Sequence, residues 1–409
     1  MTNAKPFLPG YALFAAMLAC AGLPIYIHAP KFYVDEYGVS LAALGAVLFG
    51  LRLFDFVQDP ILGWVSEAAR AQRQIAVAGG AVLLALSMYG LFAVTPPVAP
   101  LLWFGITLTG LFTAFSFLTI CFYAQGVRTA GRLGPNGHTR LAGWRETGAL
   151  LGVCGAAIAP TLLAGASTSP FALFAAGFLG LVILGTAAMW REWRAASTAP
   201  SAGMRPILAD GLARRLLLIA LLNATPVAVT STLFLFFVES RLAAAGAEGP
   251  LLLLFFLAAA LSAPAWSWAA GRFGAKTALL AGMVLAILSF GWAATLGAGD
   301  TLAFGVICVL SGAALGADMT LLPAIFARRM ARVAPDAGEA FGLWSFVSKF
   351  TLAFAAVTLL PLLDAVGFQS GAENSDRALA TLSILYALVP CALKLVAIAL
   401  LAATPIKET

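Results

Sequence analysis

Long stretches without a single charged side chain constrain this sequence more than any other feature. No Asp, Glu, Lys or Arg occurs in residues 6–30, 74–127, 147–190, 216–238, 249–271 or 277–299. About 20 mainly apolar residues suffice to cross the hydrocarbon core of a bilayer, so the chain is built for lipid. Composition agrees: 61% of the 409 residues are apolar and 10% charged, against roughly 25% charged in soluble proteins. Two of the runs exceed one crossing and break at "TPPVAP", 95–100, and "GASTSP", 165–170, turn-rich segments that punctuate helices. Twelve spans follow, near 9–28, 41–65, 75–95, 99–125, 142–165, 170–190, 214–238, 250–270, 277–297, 302–327, 340–362 and 378–403. The expected class is an all-α integral membrane protein of twelve transmembrane helices. Lys5 ahead of the first apolar run imitates a signal peptide, but the run is too long and lacks a good cleavage site. It is read as a retained span.

Basic residues divide unevenly between alternate loops. Seventeen Lys or Arg, from Lys5 through Arg70, Arg73, Arg128 and Arg328 to Lys407, fall on the side that holds both termini, and three (Lys31, Arg241, Arg377) on the other. Cationic loops stay in the cytoplasm, so both termini are expected there, in a bacterial inner (plasma) membrane protein that works as a monomer. The same bias accounts for most of the +6 net charge without nucleic acid. Five cysteines sit singly in apolar runs, and His28 and His138 lie far apart, which suggests neither disulfides nor a Cys/His metal centre. With no nucleophile–base constellation either, an enzyme is not expected, and no cofactor beyond a coupling ion.

A polar connector, "REWRAASTAPSAGMRPILADGLARR" at 191–215, separates two sets of six spans. The division read from it is a bundle at 1–190, a cytoplasmic linker at 191–213 and a second bundle at 214–409. At an offset of 204 positions Pro60 meets Pro264, Trp64 meets Trp268, Arg128 meets Arg332 and Arg145 meets Lys349. Duplicated halves of this kind are the arrangement of major facilitator transporters. The loop "GRFGAK", 271–276, resembles the Gly-Arg-x-Gly-Arg/Lys loop of that superfamily, and "GWVSEAARAQR" after the second span keeps its Gly63 with Glu67 for the acid.

Against the repeat, "RLFDFVQDPILGW" at 52–64 stands out, because Asp55 and Asp59 align with Ala259 and Ala263. Helix packing therefore does not demand the two acids. Spaced four apart, they share a helix face with Arg52 one turn earlier. Three ionised groups at mid-bilayer would cost about 8–10 kcal/mol if unpaired in lipid, and such groups line polar pathways. Arg52 balances one carboxylate; a bound Na⁺ or H⁺ balances the other, or else Arg145 or Lys349 does so in a structural ion-pair network.

The same stretch resembles the second-helix signature of the glycoside–pentoside–hexuronide:cation symporters, the melibiose-permease-like branch of the superfamily. "GAALGADMTLLPAIFARR" at 312–329, and "FGLWSFVSKF" followed by "LLPLLDAVGFQ" within 341–369, extend the likeness along nearly the whole chain. The resemblance implies a cation-coupled symporter with Asp55 and Asp59 as cation ligands, Gln58 in place of that family's asparagine, and the fourth-helix hydroxyl at Ser116. Sugar-binding members carry acids in the first and fourth helices; here the first helix has none and the fourth has Thr119. The fifth-helix basic residue is retained as Arg145, and Lys349 resembles the eleventh-helix lysine of sodium-coupled lysolipid symporters.

Repeat partners Arg145 and Lys349 are expected on opposite walls of a central cleft, where they suit a carboxylate, sulfonate or phosphate, with Trp344 beside them. The alternative is internal pairing, Arg145 with Glu146 or Asp55 and Lys349 with Asp59. Asp318 is assigned to the cavity network or to a helix break before Pro323. Lys394, late in the last span, is expected to snorkel to the cytoplasmic interface, and Glu67 with Arg70 and Arg73 to latch a cytoplasmic gate. Tryptophans such as Trp64 and Trp268 are expected to anchor at the interface, and the Gly148-x-x-x-Gly152 spacing to let helices approach closely. The function read from the sequence is alternating-access symport of a small organic solute, an anionic or acidic one being favoured, driven by Na⁺ or H⁺. A lipid or lysolipid transporter of the same fold and a proton-coupled exporter are the competing readings.

Overall fold

The computed structural model describes residues 6–165, 167–194, 203–335, 337–369 and 374–406, and those residues form helices and turns with no strand. The helices are α1 (Leu8–Cys20), α2 (Leu23–Tyr37), α3 (Leu41–Ala68), α4 (Arg73–Phe92), α5 (Pro100–Gly131), α6 (Gly137–Leu163), α7 (Pro170–Trp193), α8 (Met204–Ala209), α9 (Gly211–Phe236), α10 (Glu248–Phe273), α11 (Ala275–Ala293), α12 (Thr301–Val333), α13 (Gly338–Asp364), α14 (Asp376–Ser383) and α15 (Val389–Ala402). Eight helical stretches among the described residues are long and apolar enough to cross a membrane. The charged helices α3, α6 and α13, at 28, 27 and 27 residues, extend about 40 Å at 1.5 Å per residue, enough to do the same. Each expected span has a helical counterpart. Of the expected linker, residues 195–202 lie outside the described part, as do Lys5 and Lys407.

Two spans depart from the expected continuous helices. The first, read as 9–28, is broken: α1 ends at Cys20, and α2 restarts at Leu23 and runs on to Tyr37. Pro24 explains the break, because a proline has no backbone N–H to give to the carbonyl four residues earlier. The last span contains a π-helical turn, Ile384–Leu388, and a second π turn, Phe237–Arg241, follows α9. The rings of Phe237 and Tyr386 stack at 4.2 Å between those two turns.

Helix starts obey local chemistry. Ser40 caps α3 by accepting from Ala43 N–H at 3.2 Å, Asp210 caps α9 by accepting from Ala213 N–H at 2.8 Å, and Ser375 caps α14; each satisfies an N–H that the first turn leaves open. In the "GRFGAK" loop Lys276 Nζ donates to Ala402 O and Thr404 O at 2.8 and 2.9 Å, placing a cation at the carbonyl end of α15. The repeat is visible in the helix bounds: moved by 204, Leu41–Ala68 becomes 245–272 against Glu248–Phe273, and Gly137–Leu163 becomes 341–367 against Gly338–Asp364.

The chain forms two compact units, Met1–Leu208 with Ala327–Phe346, and Ala209–Phe326 with Val347–Thr409. The end of α12 and the start of α13 thus pack with the first unit, although they belong to the second set of spans in sequence. In the first unit Tyr11, Phe14, Met17, Phe104, Phe122 and Trp193 are fully buried. There α1 lies against α6 at Gly148 and Gly152, where any side chain would collide with the backbone of Ala12 and Ala16. This is the close approach that small residues four apart permit. Tyr11 and Glu192 meet at Thr129, whose hydroxyl lies 2.5 Å from the Tyr11 oxygen, so α1, α5 and α7 are tied by polar bonds inside an apolar core. The second unit centres on Leu233, Phe237, Phe304 and Tyr386.

Candidate functional site

The acids of α3 are buried in the first unit. Asp59 is 0% and Asp55 5% exposed. Gln58 Nε2 and Ser116 Oγ both donate to Asp55 Oδ1 at 3.0 Å, and Thr113 Oγ1 of α5 donates to Gln58 Oε1 at 3.0 Å. Arg52, one turn before Asp55, is half-buried. The structure thus brings Asp55, Gln58 and Ser116 together and keeps Asp59 on the next turn of α3, also inside. Thr113 is the member that sequence reasoning missed, although its place three residues before Ser116 puts it on the same stripe of α5. The Asp55 carboxylate, the Gln58 amide and the Ser116 and Thr113 hydroxyls form one bonded cluster, whose oxygens are the kind of donor a hard cation prefers.

Farther along α5 a second polar group gathers around Arg145. Its Nε donates to Glu146 Oε1 at 2.7 Å, and its guanidinium lies 3.7 Å from the Tyr123 ring centroid. Tyr123 in turn donates from its hydroxyl to Glu146 Oε1 at 3.1 Å, and its ring meets Phe341 at 5.1 Å. Of the two internal partners considered for Arg145, the bond observed is to Glu146. Arg145 is 6% exposed, and its Nη2 is buried without a hydrogen-bond partner among the described residues. Thr119 Oγ1, one turn before Tyr123, is likewise buried and unpartnered. Tyr123 lies seven residues beyond Ser116, about 10 Å along the helix axis, so α5 carries the acid-side hydroxyls and the Arg145 cradle on one rod.

Glu67, Arg70 and Arg73 sit at the end of α3. The Glu67 carboxylate, 2% exposed, accepts from Glu339 N–H at 3.0 Å, an anion at the N-terminus of α13 where the helix dipole favours it. Arg70 Nη1 and Arg73 Nη2 donate to the backbone carbonyls of Glu67 and Ser66, both at 3.2 Å. The contact is tight because Gly63 and Gly342 face each other: a Cβ on Gly342 would lie 2.8 Å from Asp59 O and 3.0 Å from Gly63 Cα. Nearby, His138 opens α6 ahead of its spanning residues. Burial, with the positive charges of Arg328 and Arg145, lowers its pKa to about 4, so it is neutral at physiological pH.

Lys394 overturns its expected placement. Instead of reaching an interface it is 3% exposed, ion-paired with Asp318 and donating to Asn223 Oδ1 at 2.7 Å. The reason is energetic: Asp318, 8% exposed, would otherwise be a lone buried charge, and removing one partner of a buried pair costs about 3–5 kcal/mol. Asn223, a polar residue inside the uncharged run 216–238, was the available signal. Lys349 is half-buried in the second unit, and Trp344 half-buried in the portion of α13 that packs with the first. Trp64 and Trp268 are 61% and 67% exposed.

The profile of the MFS/sugar transport protein family matches residues 8–408. Two solved structures align over 97% of this chain and 99% of theirs at 15% identity, each with a TM-score of 0.72: a bacterial homologue of the iron transporter ferroportin in an outward-facing state, and the same homologue with soaked iron. At that identity the likeness speaks to fold, and it agrees with the helical order described above. The chain belongs to the MFS/sugar transport protein family, and is a multi-pass membrane transporter of the major facilitator fold rather than an enzyme.

Proposed function

We propose that this transporter is a cation-coupled symporter of the glycoside–pentoside–hexuronide type, with Na⁺ or H⁺ held at Asp55 and Asp59. The observation that carries the reading is the burial of both acids on α3, with Gln58 and Ser116 bonded to Asp55. Two carboxylates one helical turn apart inside a membrane protein repel each other, and a bound monovalent cation relieves that repulsion. Asp59, Asp55, Gln58, Ser116 and Thr113 supply the oxygens, and Arg52 offsets part of the charge.

The organic solute is assigned to the Arg145 cradle. Glu146 and Tyr123 hold the guanidinium still, and its unpartnered Nη2 offers a donor to an acidic or hydroxylic group beside Thr119. Lys349 and Trp344 complete the proposed substrate set, and the latch is Glu67 with Arg70 and Arg73. Because α5 lines both sites, a cation that orders Ser116 and Thr113 also orders Tyr123. Linkage then requires that substrate tighten cation as much as cation tightens substrate. The orientation with cytoplasmic termini, the bacterial inner membrane and the monomeric state belong to the same proposal.

The test uses proteoliposomes with an imposed Na⁺ or H⁺ gradient and a panel of sugars, organic acids and lysolipids. Gradient-driven accumulation of a sugar or organic acid that Asp59→Asn abolishes supports the reading. Accumulation by Asp59→Asn with unchanged cation dependence overturns it, and transport confined to lysolipids replaces it with the lipid-carrier reading.

A further inference from the structure

The second unit contains a pocket that none of these steps uses. It lies among α9, α10, α11, α12 and α15, with walls that include Val227, Phe255, Ile287, Phe290 and Leu315. Its charged groups are Asp318 of α12 and Lys394 of α15; the remaining ionisable lining group is the Cys391 thiol, 3.5 Å from Ile287 O, and α9, α10 and α11 contribute none. Lys394 bonds Asp318 Oδ2 and Asn223, and Asp318 Oδ1 is buried with no hydrogen-bond partner among the described residues. An ammonium has three N–H donors, and Asn223 and Asp318 take two. The pocket wall therefore carries a buried carboxylate oxygen without a partner beside an ammonium with one N–H beyond those two bonds, in apolar surroundings and on a pair whose charges cancel.

That combination selects its ligand. A carboxylate entering alone would leave a net negative charge among aromatic and aliphatic walls, and an ammonium alone a net positive one; both are costly. A carboxylic acid satisfies both open positions without net charge, its O–H donating to Asp318 Oδ1 and its carbonyl accepting from Lys394 Nζ. A carboxylate that brings one proton from solution reaches the same occupancy. We infer that this pocket binds small carboxylic acids with an apolar body, each carboxylate accompanied by one proton that Asp318 helps to hold. The inference goes beyond the symport reading and uses none of the residues assigned to the cation or to the Arg145 cradle.

The experiment titrates the purified full chain with phenylacetate, by calorimetry and, in weakly buffered solution with a pH indicator, by proton uptake. The expected result is one proton taken up per phenylacetate bound, with affinity falling tenfold per pH unit above the acid's own titration. Hydrogen bonds to charged groups contribute about 1.5–3 kcal/mol, so Lys394→Met should weaken binding roughly tenfold or more. Asp318→Asn should bind without proton uptake. Should either single variant fail to fold, the charge-neutral double variant Asp318→Asn with Lys394→Gln, and the pocket-filling Ala286→Phe, should each fold and lose binding. Binding that persists in Ala286→Phe, or proton uptake that survives Asp318→Asn, overturns the inference, as does the absence of binding to the wild type. An Asp59→Asn chain that still binds phenylacetate separates this site from the proposed cation site, whichever of the two fails.

Discussion

At the residue scale the outcome turns on which polar side chains are held and by what. Asp59→Asn keeps shape and hydrogen-bonding capacity and removes a charge, so cation-driven accumulation should fall to equilibration while exchange of substrate persists; radiolabelled uptake with and without a gradient measures both. Ser116→Ala removes an oxygen that bonds Asp55 at 3.0 Å. With a bond to a charged group contributing about 1.5–3 kcal/mol, half-saturation by Na⁺ should rise roughly tenfold, with little change in maximal rate, in a Na⁺ titration of uptake. The acids were legible in the sequence because they interrupt an apolar run at helical spacing, and Ser116 was legible through family likeness. Lys394 was not, since a lysine near a helix end has the same local pattern whether it reaches water or pairs with an acid 76 positions away. Only tertiary packing decides between those outcomes.

Elements were read from length and apolarity, and the spans fell where uncharged runs predicted them. What periodicity could not show was the break between α1 and α2 or the π turns, which depend on Pro24 and on packing between Phe237 and Tyr386. The glycine pair of α6 makes the packing testable. Gly148→Val forces a branched side chain into Ala12, and overpacking of this kind costs typically 1–3 kcal/mol or more; a marked loss of melting temperature in detergent is expected. Gly155→Ala on the same helix meets nothing within 4 Å, so it should be neutral or slightly stabilising. Equal losses from both substitutions would mean that α1 and α6 do not touch where the structure places them.

For the whole molecule the acid side of the stability profile carries a signature. His138 titrates near 4 when folded and near 6.5 in its ordinary state. The unfolded chain therefore binds the proton first, and stability present above about pH 6.5 declines as pH falls toward 4. Melting temperature followed across that range should show the decline, and His138→Gln should flatten part of it. The two-unit division adds something the repeat alone did not suggest. Helix α13 passes from one compact unit to the other between Phe346 and Val347 without interruption, and its first residues are pressed against α3 along the Gly63–Gly342 seam. The two helices meet there glycine to glycine, so a side chain at either position would wedge α13 away from the Glu67 carboxylate that accepts from its first turn.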